Sequence, residues 1–216
     1  MIERASDVAY RMIRDAIVSG EFPYGKRLSK RAMAEYCGVS TIPVIDALNR
    51  LESEGLVESN PYSGSRVVDI NPEKIDDSYL LREAVETQIV RVLCYTIGID
   101  ELTRLKKMAI EVDELVGKEH EHDSFDELHF NFHNELAKCT RSRTLLETLE
   151  RIQFFNLLVR SEDKYRRLPK METEYSHLDI IEAISRRNAE EATRIMRNHI
   201  YRSQVVTTPL WLESDP

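Results

Sequence analysis

Two helical segments lie almost end to end near the start of the 216-residue chain. Ser29 is a helix-capping residue type and begins the first segment, which Gly38 ends. Only Val39 separates this glycine from Ser40, a second capping residue, and the following apolar positions recur at helical spacing until Gly55. Two helices joined by so short a turn predict a helix-turn-helix, and this feature constrains the fold more than any other.

The segments on either side of this pair complete the pattern. An amphipathic helix is predicted from Ser6 to Gly20. Short strands at 56–59 and 66–69 flank a turn rich in proline and glycine, which predicts a β-hairpin. Three helices followed by a hairpin have the order of a winged helix-turn-helix, so we expect residues 1–70 to form a DNA-binding domain.

The remainder of the chain, residues 71–216, is predicted to form an all-helical bundle. After a linker at Asn71-Pro72, about six amphipathic helices follow at roughly 72–96, 100–117, 124–139, 143–161, 171–187 and 189–206. The fold class expected for the whole chain is therefore mainly α, with one winged helix-turn-helix domain and one helical domain.

Composition narrows the class of protein further. No apolar run approaches the ~20 residues that a membrane helix needs, and the N-terminus has no apolar signal-peptide region. Cys37, Cys94 and Cys139 are odd in number and far apart, which is typical of reduced thiols and not of a disulfide framework. We expect a cytoplasmic protein without a membrane partner.

Four of the six histidines fall in the predicted bundle helices. His129 and His133 are four residues apart beside an apolar stripe that begins at Phe125, so both rings are expected to point inward. His177 and His199 each lie on a further amphipathic helix. Imidazoles that converge inside a bundle suit a divalent transition metal. The alternative is that these histidines are hydrogen-bonded polar groups beside the core.

Several short stretches of the first domain form a recognisable combination. They are Gly38-Val39-Ser40, Pro43-Val44, Ala47-Leu48, Arg50-Leu51-Glu52 and Glu54-Gly55-Leu56-Val57. This combination resembles the winged helix-turn-helix of GntR-superfamily transcription regulators. The resemblance implies a homodimeric repressor that binds pseudo-palindromic, double-stranded operator DNA.

The second part of the chain resembles the FCD effector domain of the FadR-type branch of that superfamily. Phe132-His133, His177 and His199 match the family's histidine positions, and Arg82 and Glu86 match the first effector helix. The resemblance covers residues 9–203 and implies a metal that helps bind a small carboxylate effector. Arg82 is expected to hold that carboxylate bidentately. Its alternative role is an ion pair on the surface or between helices.

This chain departs from the family pattern at the metal site. The family's metal-binding aspartate falls at His129, so the implied ligands are four histidines: His129, His133, His177 and His199. A shell with more imidazole and less carboxylate favours Zn²⁺ or Ni²⁺ over Mn²⁺. Asp126, one turn earlier, is the alternative ligand if the helix is rotated.

The DNA-binding residues that the resemblance and local chemistry together imply are Lys30, Arg31, Ser40, Thr41, Gly64 and Arg66. The family usually has arginine at the positions of Thr41 and Ile45, and both charges are missing here. Residues 1–70 hold nine Lys and Arg against ten Asp and Glu, a net charge of −1, and the whole chain carries −8. We therefore expect specific but weak operator binding that is sensitive to salt.

Two other functions agree with part of this pattern. A metal held by four histidines can activate water, as in a metal-dependent hydrolase, although no general base stands at a compelling spacing beside them. A metal that only stabilises the bundle is the other alternative. We favour the ligand-responsive regulator, because an enzyme would leave the helix-turn-helix without a role.

Overall fold

A computed structural model gives the structure and describes residues 3–60, 64–115, 122–161 and 176–203. The chain divides into two compact units, Met1–Ile75 with Phe154–Arg166 and Asp76–Gln153 with Arg167–Pro216. Within the described ranges, every helix is too short or too polar to cross a membrane. The fold is mainly helical, as the sequence predicts.

Up to residue 67, the first unit consists of three helices and a small sheet. Its elements in chain order are α1 (Ala5–Val18), β1 (Arg27–Leu28), α2 (Lys30–Cys37), α3 (Thr41–Ser53), β2 (Val57–Asn60) and β3 (Gly64–Val67). α1 packs against α3, and α2 packs against both. The core that they share buries Ile13, Val44 and Leu51 completely. The helix-turn-helix is thus held on a small apolar core of its own unit.

Local chemistry explains the tight turn. The Ser29 hydroxyl caps α2 by accepting a hydrogen bond from the Ala32 N–H at 3.2 Å. Gly38 ends α2 in the left-handed conformation, φ +66°, which costs glycine little. Ser40 then precedes α3, but its hydroxyl makes no capping hydrogen bond. At α1 the predicted cap is wrong: the helix begins at Ala5 with Arg4 at the cap position, so Ser6 lies inside the helix.

The hairpin is part of a three-stranded antiparallel sheet with the order β1-β3-β2. The sequence predicts β2 and β3 to within two residues, but it does not predict β1, because two residues are too short to carry an alternating pattern. One row across the sheet aligns Arg27, Arg66 and Glu58. The turn between the strands, 61–63, lies outside the described residues.

The six helices predicted after residue 71 are present. They are α4 (Pro72–Thr96), α5 (Ile99–Leu115), α6 (His122–Cys139), α7 (Arg143–Ser161), α8 (His177–Ser185) and α9 (Ala189–Ser203). α6 begins two residues before the predicted start at Ser124. α8 begins after the predicted start at 171, and residues 171–175 lie outside the described ranges.

Two polar devices hold the ends of α8. At its start Ser176 and Asp179 form a capping box, in which the serine hydroxyl accepts from the Asp179 N–H at 3.2 Å. After its end Arg187, at φ +59°, donates to carbonyls at and just beyond the C-terminus of α4. These bonds measure 3.1 Å to Cys94 and 2.8 Å to Ile97. The α8–α9 turn is therefore tied to the C-terminus of α4.

Candidate metal centre and DNA interface

The structure brings the four predicted histidines together inside the second unit. α6 supplies His129 and His133, α8 supplies His177 from its first residue, and α9 supplies His199. One ring nitrogen of each lies within 4.8 Å of those of the other three. His129, His133 and His177 are buried, and His199 is partly buried. Four imidazole nitrogens that converge in this way could hold one divalent ion.

A buried ion pair on α4 orients His133. Arg82 Nε donates to Glu86 Oε1 at 2.5 Å, and Glu86 Oε2 contacts Nδ1 of His133. All three side chains are at most 3% exposed. Burial would raise the pKa of Glu86, but His133 and Arg82 outweigh it and hold that pKa well below its usual range. Burial lowers the pKa of His133, so its imidazole is neutral at pH 7.

Asp113 of α5 orients His177 in the same way. Its Oδ1 lies 2.6 Å from His177 Nδ1 and accepts from the His177 N–H at 3.1 Å. Its Oδ2 accepts from the Leu178 N–H at 3.0 Å. Burial would raise the pKa of Asp113, but these hydrogen bonds and the imidazole lower it below its usual value. One carboxylate thus fixes the ring and caps the helix that carries it.

The chemistry of these atoms fits a metal. Each carboxylate takes the Nδ1 side of its imidazole, which leaves the Nε2 lone pair for a ligand. Nε2 of His133 and Nε2 of His177 are buried, and neither has a hydrogen-bond partner among the described residues. Buried polar atoms without partners are rare because they are costly, and coordination of an ion would satisfy both. Neutral nitrogen donors suit Zn²⁺, Ni²⁺ or Cu²⁺ better than Mg²⁺ or Mn²⁺.

Two sequence-based assignments at this site remain expectations. The side chain of Asp126, the alternative ligand, lies outside the described residues. Arg82, the expected effector ligand, is buried and ion-paired with Glu86 on its own helix. It therefore lies one side chain away from His133. Sequence reasoning missed Asp113 altogether, because nothing local links a carboxylate on α5 to a histidine 64 positions later.

The expected DNA-binding residues lie at the starts of α2 and α3 and in strand β3. Lys30 and Arg31 are exposed at the N-terminus of α2, and Ser40 and Thr41 are exposed at that of α3. In the sheet, Gly64 is exposed at the first position of β3 with φ +79°. Helix N-termini with exposed hydroxyl and cationic side chains are suited to phosphate binding.

Arg66 is more constrained than the sequence suggests. It is half exposed and donates from Nε to Glu58 Oε1 at 2.7 Å across the sheet. Lys74 Nζ lies 3.6 Å from the other oxygen of Glu58. An exposed pair of this kind contributes little to stability, about 0.2–1 kcal/mol, so Arg66 can exchange Glu58 for a phosphate at small cost.

Comparison with known proteins agrees with both halves of this architecture. The model of bacterial regulatory proteins of the gntR family matches residues 5–67, and the model of the FCD domain matches residues 77–202. The chain is a GntR-family transcription regulator with an FCD domain. The combination of these two domains places it in the FadR-type branch.

The relatives of this regulator are similar over most of their length. The transcriptional repressor RspR of Escherichia coli K12 is 27% identical over 197 residues, which cover 88% of this chain and 83% of RspR. The regulator YdhC of Bacillus subtilis 168 is 25% identical over 194 residues, 88% of this chain and 85% of YdhC. The solved structure of E. coli McbR/YncC, at 16% identity and TM-score 0.68, covers 94% of this chain and 99% of that one, and shows the same fold.

Proposed function

We propose that this regulator is a homodimeric repressor whose binding to operator DNA is controlled by a small carboxylate effector at a zinc or nickel centre. The observation that carries the proposal is the convergence of His129, His133, His177 and His199. Two of these rings are oriented from behind by buried or half-buried carboxylates. Acting on DNA, the protein would work in the cytoplasm.

The metal would be held by the four imidazoles, and it would supply a Lewis-acidic cation to which a carboxylate oxygen can bind. Four neutral ligands leave the full positive charge of the ion in place, so an anionic effector is favoured over a neutral one. The positive charge of Arg82 also balances the negative charge of the buried Glu86 near the site. The incoming carboxylate would therefore meet little repulsion from this pair.

Arg82 is the residue that we propose binds the effector. Its guanidinium carries five donors in a planar fork that matches a carboxylate. The contact with Glu86 Oε1 engages Nε and holds the group beside the histidine cluster. A small mono- or dicarboxylate would bind between the metal and this guanidinium.

The DNA-binding half is proposed to act through residues 1–70, and the FCD-type half through residues 71–216. A two-fold dimer presents two α3 helices about one turn of B-DNA apart, which is why a pseudo-palindromic operator is expected. Lys30, Arg31 and Arg66 would contact phosphates, with the Ser40 and Thr41 hydroxyls and the Gly64 backbone close by. Effector binding would shift the dimer between arrangements that fit and do not fit the two half-sites.

One alternative has an observation in its favour. Three of the four histidines are buried, and buried ligands are typical of a metal that stabilises the fold. A structural metal would leave the bundle without an effector. We do not propose an enzyme, because the family is one of transcription regulators.

Metal analysis tests the centre directly. We expect the gently purified protein to carry about one divalent ion per chain, and the His133→Ala/His177→Ala double variant to lose most of it. His120→Ala/His122→Ala is the matched control, since it removes the two histidines that the assignment does not use. Equal metal content in the two double variants would refute the assignment. The affinity of the metal-loaded protein for DNA is then measured with and without carboxylates. A change in affinity indicates a regulatory metal, and no change indicates a structural one.

A further inference from the structure

The outer surface of α3 is unusual for a helix that reads DNA, because its first two turns present an isoleucine and no cation. Ile42, in the first turn, is 71% exposed. Tyr36 is the one other exposed large apolar side chain among the described residues of the first unit, and its hydroxyl donates to Glu21. Burying one face of the helix in the core does not require an apolar residue at position 42.

The single basic residue of α3 lies in its last turn and is already engaged by other side chains of the first unit. Arg50 lies over the ring of Tyr10 at 3.6 Å and is ion-paired with Asp7 of α1 at 3.6 Å and Glu54 at 3.4 Å. It therefore braces α3 against α1. Asp46, one turn after Ile42, is exposed and offers only acceptor atoms. A guanine presents two acceptors in the major groove, so this surface of α3 disfavours the commonest specific contact, that of arginine with guanine.

The groove does offer one apolar partner. Thymine carries a C5-methyl group in the major groove, and aliphatic side chains are its usual contacts. The N-terminal residues of the second helix of a helix-turn-helix are those that reach base edges. Ile42 is in this position, with the Thr41 methyl beside it and the partly exposed Ile45 nearly one turn later.

We infer that Ile42 reads a thymine methyl group in each operator half-site, and that the operator has A·T pairs where the start of α3 enters the groove. This inference rests on the proposed function, because it needs an operator to exist. In this inference the apolar contact of Ile42 supplies the sequence preference, while Lys30 and Arg31 bind backbone phosphates. The expected preference for thymine is modest at each half-site, and the effects of the two half-sites on affinity multiply.

The test begins with selection of bound duplexes from a random pool by the full-length protein, followed by replacement of each thymine of the selected site with uracil. Uracil keeps the pairing with adenine and removes only the methyl group. Each half-site should contain one thymine whose replacement, by itself, weakens binding about four-fold. Replacement of this thymine in both half-sites should weaken binding about fifteen-fold. Fluorescence anisotropy of labelled duplexes at constant salt measures this.

The Ile42→Ala variant identifies the side chain responsible. In this variant the same uracil replacements should change affinity less than two-fold, because the contacting atoms are already absent. Ile99→Ala is the matched control: Ile99 is 81% exposed at the first position of α5 in the second unit, and its variant should keep the full methyl dependence. Since the uracil scan uses the wild-type protein, a poorly folded variant does not decide the outcome.

Two results would overturn the inference while leaving the proposed function intact. One is a selected operator in which no thymine-to-uracil change alters binding more than two-fold. The other is a methyl dependence that is the same in wild type and Ile42→Ala. A pool in which no sequence is enriched would instead overturn the proposed function and this inference together.

Discussion

Replacing Asp113 with asparagine should weaken metal binding without touching a metal ligand. The carboxylate holds His177 through its Nδ1 at 2.6 Å, and it also accepts from the N–H groups of His177 and Leu178. Asparagine has nearly the same shape but only one acceptor atom, so its amide nitrogen must face a donor. Whichever way the amide is turned, one donor loses its acceptor, and a neutral amide oxygen holds the His177 imidazole more weakly than a carboxylate does.

The expected magnitudes follow from these three hydrogen bonds. Loss of a carboxylate that orients a ligating histidine typically lowers metal affinity about 10- to 100-fold. Loss of one charge-assisted hydrogen bond should lower the free energy of unfolding of the metal-free protein by about 1.5–3 kcal/mol. Competition with a chromophoric chelator measures the first quantity. Urea unfolding in the presence of a strong chelator measures the second.

Ser176→Ala is the control that separates orientation from helix stability. The serine caps the same end of α8 as Asp113, through the Asp179 N–H, but among the described residues it makes no hydrogen bond to the His177 ring. Its loss should cost about 1 kcal/mol of stability and leave metal affinity unchanged. The reasoning is refuted if Asp113→Asn keeps wild-type affinity, or if Ser176→Ala loses as much affinity as Asp113→Asn.

Four further outcomes follow from the same structure. Arg31→Ala should weaken operator binding and lower the salt slope by about one unit, and gel shifts at several salt concentrations that show no change would remove Arg31 from the interface. Arg82→Ala should lower carboxylate affinity roughly ten- to a hundred-fold by calorimetry while metal content stays normal; loss of the metal as well would give Arg82 a supporting role only. Metal should leave as the pH falls below about 6.5, because ligating imidazoles must be neutral. The metal-free protein should also lose stability below that pH. Burial lowers the pKa of His133 in the folded state, so the unfolded chain takes up the proton first. Arg187→Met should lower the free energy of unfolding by about 1.5–3 kcal/mol, because it leaves the carbonyls that end α4 without their donor, and an unchanged urea midpoint would contradict that role.

Much of the fold could be predicted because its signals are local. Gly38 and Ser40 mark a helix end and a helix start only two residues apart, and this alone defines the helix-turn-helix. The spacing of His129 and His133 places both rings on one face of α6 whatever the tertiary structure. The two-residue strand β1 has no such signal, since it exists only because β3 pairs with it.

The parts of the site that the sequence did not predict depend on contacts between distant residues. Asp113 looks like any carboxylate on a helix, and its role appears only where α5 packs beside the start of α8. Glu86 matches a family position, but its contact with His133 of α6 is a tertiary feature. Arg82 shows the converse: its spacing from Glu86 already allows an ion pair along α4, but the family resemblance favoured a role in ligand binding.

The most direct test of the proposed function is a carboxylate titration of the metal-loaded protein, carried out with and without the selected operator duplex. Linkage requires that an effector which changes operator affinity has its own affinity changed by the same factor when operator is bound. We predict a difference of about 5- to 150-fold between the two titrations for at least one small mono- or dicarboxylate. Carboxylates that bind with equal affinity in both titrations would contradict regulation through the metal centre.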